Sequence, residues 1–124
     1  MSQEEKISHV NSIELAHCIL EAIAEKKGED IMVMDIRELA VFADYFVICS
    51  GTSERQLKAL VEGVDEAVRQ KFRAHARRTE GDALSGWILM DYTDVIVHIF
   101  APHQRDFYQL EELWKEAPVV LKMQ

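Results

Sequence analysis

The sequence predicts a mixed α/β (α+β) domain: a mixed β-sheet of about five strands covered by helices, in the order α-β-β-α-β-β-β-α. Three observations lead to it. Two segments, 12–25 and 53–72, repeat apolar residues at helical spacing. Two short runs, Tyr45-Phe46-Val47-Ile48-Cys49 and Val95-Ile96-Val97-His98-Ile99-Phe100, are apolar almost without alternation, as in strands covered on both faces. The helices are interspersed with too few strands for a doubly wound fold, which leaves a mixed sheet. The 124 residues fit one such domain, spanning 1–124, and no repeat, linker or low-complexity segment divides it.

Residues 1–10 are polar and expected to fray. The first helix starts at Asn11 or Ser12, and Asn11 with Glu14 has capping-box spacing. Ile13, Ala16, Leu20 and Ile23 form its apolar stripe, widened by Leu15 and Ile19. Lys26-Lys27-Gly28 supplies the stop, with Gly28 expected at positive φ. Residues 31–36 read as a strand, 37–43 as a loop with one helical turn, and 45–49 as the second strand. Thr52 or Ser53 caps the second helix, whose stripe is Leu57, Leu60, Val61, Val64, Val68 and Phe72. Gly63 inside it is expected to permit close packing. Residues 74–79 read as a short basic strand and 80–86 as a glycine-containing loop. Residues 87–91 and 95–100 form a hairpin pattern. A last helix over 104–115 is expected to turn Phe107, Leu110, Leu113 and Trp114 inward, and Pro118 stops it. Residues 119–124 carry no assignable pattern.

Fourteen Lys and Arg stand against 22 Asp and Glu, a net charge of −8. That balance opposes a broad nucleic-acid footprint and attraction to an anionic membrane. It suits a basic protein partner; DNA and membrane are not expected. The polar start lacks the plan of a signal peptide, and no apolar run approaches the ~18 residues of a membrane span, so a cytoplasmic protein is expected. Cys18 and Cys49 fall in apolar patterns and are expected as buried, reduced thiols. There is no CxxC pair and no HExxH, so neither a metal nor a cofactor is expected.

The element order resembles a minimal nucleotidyltransferase fold, so that chemistry needs a test. It requires paired carboxylates on one strand face and a Gly-Ser turn near the phosphates. Ser50-Gly51-Thr52-Ser53 before a helix fits the turn. The Asp-x-Asp pair is missing, and Asp91 and Asp94 flank a turn rather than sharing a face. SGTSER also lacks the second Gly and the Lys of a P-loop. A nucleophile would be Cys49 or Ser50 activated by His98, but no local motif pairs them, and a His in an apolar strand is more often a core residue. Catalytic residues are therefore not assigned.

Two features point to contacts instead. Lys71, Arg73, Arg77 and Arg78 form a basic cluster. It fits a solvated helix end followed by a charge-protected edge strand, with a small contact to RNA phosphates as the alternative. Strand alternation puts Trp87, Leu89 and Asp91 on one face, with Ile88 and Met90 on the other. If that first face is partly open, Trp87 and Leu89 form an apolar patch rimmed by Asp82, Asp91 and Asp94, the composition of an interface anchor.

The stretches DIRELAVFADYFVICSGTSERQLKAL (35–60) and GWILMDYTDVIVHIF (86–100), with Arg105-Asp106-Phe107-Tyr108 and LEELW (110–114), resemble the Iojap-like ribosomal silencing factors over about residues 12–115. The resemblance implies a non-enzymatic protein with a nucleotidyltransferase-like fold lacking catalytic carboxylates. It implies binding to a large-subunit ribosomal protein at the intersubunit face, steric block of small-subunit joining, and repression of translation. It also implies a homodimer when free, and rRNA contacts that are minor at most. Trp87 aligns with the family tryptophan expected at the ribosomal-protein contact, and Leu89, Asp91 and Asp94 belong to the same motif. Asp44 and His98 match positions read as structural. Thr93 departs from the pattern, standing where many relatives have Gly in the Asp-x-x-Asp turn. Alternatives are a ribosome-assembly scaffold and a nucleotidyltransferase-like enzyme.

Overall fold

The computed structural model describes residues 11–124, so the expected frayed segment lies outside the described residues. The elements are α1 (Ser12–Glu25), β1 (Glu29–Asp35), β2 (Tyr45–Ser50), α2 (Glu54–Phe72), β3 (Arg78–Asp82), β4 (Trp87–Asp91), β5 (Val95–Phe100), α3 (Pro102–Tyr108), α4 (Leu110–Leu113) and β6 (Val119–Met123). They form one six-stranded sheet in the order β3-β4-β5-β2-β1-β6. Among the described residues only β2 and β5 run parallel; the other pairings are antiparallel. The mixed sheet covered by helices is as expected, with a sixth strand from the unassigned tail.

The two continuous apolar runs lie at the centre. β2 is buried at every position and pairs with β5 over six residues, Tyr45 with Val95 through Ser50 with Phe100. One face carries Ile31, Val33, Tyr45, Val47, Cys49, Ile88, Met90, Val95, Val97 and Ile99 under α1 and α2. The predicted stripes face it: Leu15, Ala16, Leu20 and Ile23 from α1, and Leu57, Leu60, Val64 and Val68 from α2. The opposite face carries a smaller core of Met34, Ile36, Ala43, Phe46, Ile48, Phe100 and Ala117. Leu110, Trp114 and Trp87 only partly cover it.

Local chemistry sets the boundaries. Asn11 caps α1 by accepting a hydrogen bond from Ile13 N at 3.2 Å, and Ser53 caps α2 through Gln56 N at 3.0 Å. Lys27, not Gly28, takes positive φ after α1. Gly28 is required for a different reason: a Cβ there would sit 2.4 Å from Ile23 Cγ2. The basic strand begins later than predicted, at Arg78, and continues into the expected loop. Gly81 misled that reading. Its φ of +81 lies inside the strand, where a Cβ would meet the Trp87 carbonyl.

The last helix is two short ones, broken at Gln109, whose φ is 46. The break turns Phe107 and Leu113 outward, 72% and 76% exposed, against the expectation that they face the core. Leu110 and Trp114 do pack inward. After Pro118, residues 119–123 run antiparallel to β1, with Val33 opposite Leu121.

Thr93 adopts φ 74 in the β4–β5 turn, the left-handed region that glycine occupies without strain. Asp91 Oδ1 accepts from Thr93 N at 2.8 Å and holds it there. Thr93→Gly is expected to stabilise the fold by about 1 kcal/mol in urea unfolding, because strain in a β-branched residue outweighs the entropy that glycine adds to the unfolded chain.

Candidate functional site

Trp87 and Leu89 lie on the partly covered face, as strand alternation requires, and both are half-buried. In the β4–β5 ladder Trp87 is opposite Phe100, Leu89 opposite His98 and Asp91 opposite Ile96. Ile88 and Met90 point the other way, into the core under α1 and α2.

Trp87 is fixed on three sides. Its ring stacks on Phe100 with centroids 5.1 Å apart and meets Tyr108 of α3 at 4.5 Å. Its Nε1–H donates to His98 Nδ1 at 3.3 Å. His98 also receives the edge of Phe46 at 4.9 Å, and Phe46 meets Trp114 at 5.1 Å. The result is an aromatic band from Phe42 through Trp114, Phe46, His98 and Trp87 to Tyr108 and Phe107, whose two ends, Phe42 and Phe107, are exposed. Such rings supply large apolar area at little entropic cost. Sequence patterning did not single out Tyr108, Phe42 or the His98 contact as parts of this surface. All three stand in the stretches that resemble the family, but sequence spacing cannot place their rings together.

Burial pushes His98 down to about 4, so it is neutral at pH 7. With Nδ1 accepting from the indole, the ring proton is assigned to Nε2, which has no hydrogen-bond partner among the described residues.

The predicted acidic rim is uneven. Asp82 is exposed beside Trp87, to which it is opposite in the β3–β4 ladder, and its carboxylate accepts from Ser85 N at 2.8 Å. Asp94 is half-buried at the hairpin turn, where its carbonyl accepts from Asp44 N and Tyr45 N. Asp91 is committed internally. Its side chain is 5% exposed, 2.8 Å from Arg77 and 3.7 Å from Arg78. Burial alone would raise its pKa, but the bonds from Arg77 and Thr93 N–H outweigh it and hold the carboxyl below its usual range. Asp91 thus ties β3, β4 and the hairpin turn together.

The enzymatic alternatives meet specific obstacles. Cys49 and His98 lie on opposite faces of the sheet, since Cys49 is opposite Ile99 and His98 opposite Ile48. Burial pushes the Cys49 thiol up to about 12, far from a working nucleophile. Ser50 Oγ accepts from Arg105 Nη1 at 2.9 Å, and the same guanidinium reaches Glu111 and the Asp30 carbonyl. At the start of α2, Thr52 N donates to Gln56 Oε1 and Gln56 N to Ser53 Oγ, so these N–H groups are already satisfied. A cleft of about 450 Å³ beside Ser50 is lined by Glu29, Asp30, Glu111 and Glu112, a poor phosphate site. Among the described residues no group of His, Cys, Asp or Glu is arranged to hold a metal.

Residues 9–124 match the family model described as "Ribosomal silencing factor during starvation". The chain belongs to the ribosomal silencing factor family. It is 36% identical over 107 residues to the ribosomal silencing factor RsfS of Halalkalibacterium halodurans, covering 86% of this chain and 91% of that one. It is 31% identical over 98 residues to the mouse protein named mitochondrial assembly of ribosomal large subunit protein 1, covering 77% of this chain and 43% of that one. The crystal structure of a Chromobacterium violaceum protein superposes with a TM-score of 0.78 at 32% identity, covering 82% of this chain and 84% of that one. The family assignment made from the two signature stretches is thus confirmed.

The depressed His98 pKa has a pH signature. The unfolded chain binds a proton near pH 6.5 and the folded chain only near 4. Stability conferred by neutral His98 is complete above the upper value and lost as pH falls through this window. The loss should approach about 3 kcal/mol in urea unfolding, and His98→Phe should lack that slope.

Proposed function

We propose that this member of the silencing factor family binds a large-subunit ribosomal protein through the face centred on Trp87 and Leu89. Its bulk at the intersubunit face then keeps the small subunit away and represses translation. The observation that carries this reading is the half-open aromatic band: a clamped Trp beside Leu89, with exposed rings at both ends. Buried aromatic anchors dominate binding energy at protein interfaces. The net charge of −8 suits a basic ribosomal protein and speeds encounter. In this reading Asp82 and Asp94 contribute acidic charge toward the cations of such a partner, while Asp91 keeps β3 and β4 in register beneath it. The mechanism is steric and needs no covalent step or cofactor. A cytoplasmic location and a homodimer in the free state belong to the same reading. No described helix is long and apolar enough to cross a membrane.

A second reading has one observation behind it, the printed name of the mouse relative, which speaks of large-subunit assembly. An assembly scaffold would bind precursor particles and leave joining of mature subunits unaffected.

Light scattering during Mg²⁺-driven reassociation of purified subunits separates the two. The chain should lower the joined-ribosome signal in a dose-dependent way. Trp87→Ala should weaken that effect by about thirtyfold, the cost of a hot spot worth ~2 kcal/mol. Undiminished joining with folded chain in excess would favour the scaffold.

A further inference from the structure

The basic cluster plays no part in the Trp87 contact. Residues 69–78 hold five of the chain's 14 Lys and Arg and no Asp or Glu, leaving nine cations against 22 acids elsewhere. The structure gathers this stretch at one corner, the C-terminal end of α2 and the start of β3. We propose that this corner is a second docking surface, one that takes the phosphate backbone of RNA.

Two observations support it beyond charge. Arg77 is held by the buried carboxylate of Asp91 and Arg78 by Asp91 and Glu80, yet their side chains stay 66% and 59% exposed. Arg78 also pairs with Glu80 at 2.6 Å and Arg69 with Asp65 at 2.9 Å, so the positive surplus of the corner rests on Lys71 and Arg73, beside guanidiniums that have little conformational entropy left to lose. Lys71 and Arg73 have no acidic partner among the described residues. Arg73 also occupies a left-handed C-cap, φ 55 and ψ 41, where glycine is the favoured residue. Glycine would fit that backbone, so the cation can be removed there without conformational cost.

The placement agrees with the ribosomal reading, on which the inference rests only for naming the RNA as ribosomal. Arg78 is opposite Asp91 at one end of β4, and Asp82 is opposite Trp87 at the other. Four residues of strand separate them, roughly 13 Å. A chain anchored through Trp87 to a ribosomal protein therefore holds this cationic corner a short step along the same strand pair. In a ribosomal particle, phosphates surround such a protein. RNA is favoured over an acidic protein because a guanidinium such as that of Arg73 matches phosphate oxygens bidentately.

The test uses the whole chain and the double variant Lys71→Gln/Arg73→Gly. It leaves the Asp91 pairs intact and places glycine where the backbone already suits it. The probe is a short fluorescent RNA hairpin, followed by anisotropy as KCl is raised, with polyglutamate as the rival ligand. The whole chain should bind the hairpin at low salt. The double variant should bind roughly tenfold more weakly, and its log–log salt slope should be shallower by about 1 to 2. Its Tm should not fall, since Arg73→Gly relieves the backbone. A purely structural role would move Tm and leave the salt slope alone. No hairpin binding by the whole chain, an unchanged slope in the variant, or equal binding of polyglutamate would each overturn the proposal. Trp87→Ala should keep hairpin binding. If whole-chain joining inhibition is absent while hairpin binding persists, the silencing reading fails and the RNA surface stands.

Discussion

The parallel pairing of β2 with β5 is the constraint from which the rest follows. Both strands lie inside the sheet, and every residue of β2 is buried, so their backbone groups have no water to bond. Six rungs between them answer that need. A parallel pair cannot be joined by a tight turn. The chain therefore leaves β2 through α2, which covers one face, and returns through β3 and β4 at the sheet's edge. β4 must then run antiparallel beside β5, and Trp87 necessarily lands against Phe100.

The two faces of the sheet divide the labour. Under α1 and α2 the apolar side chains are almost all fully buried, and that face supplies most of the stability. The opposite face is roofed by two short helices with no buried residue of their own. It keeps its rings ordered through contacts among themselves and through one indole-to-imidazole hydrogen bond. A ring surface ordered before its partner arrives loses less freedom on binding. Neutral His98 is part of that order, because a protonated ring would offer no acceptor to the indole.

Much of this was legible in the residues. The stripes of α1 and α2, the runs of β2 and β5, and the separation of Trp87 and Leu89 from Ile88 and Met90 all follow from periodicity, which reports burial directly. What escaped was set by contacts distant in sequence. Residues 119–123 are a strand because β1 offers them an edge, which no local pattern announces. Gln109 breaks the last helix without any turn residue to mark it. Gly81 looked like a loop because its close approach to the Trp87 carbonyl belongs to the folded sheet. Asp91 fitted an open acidic rim on alternation alone. Its commitment to Arg77 and Arg78 needed the β3–β4 register.

The position of β6 has a consequence for how the chain is made. β1 is flanked by β2 on one side and β6 on the other, and β6 follows it by some ninety residues of sequence. At cellular elongation rates that separation corresponds to roughly 5–20 s of synthesis. Throughout that interval the outer rim of β1 has unsatisfied backbone groups and apolar neighbours, the kind of template that captures stray strands. The far rim, β3, is built of Arg78, Thr79, Glu80, Gly81 and Asp82 and is exposed along its length. The last strand covers the outer rim of β1 and becomes the edge in its place, with Val119 and Val120 about half exposed.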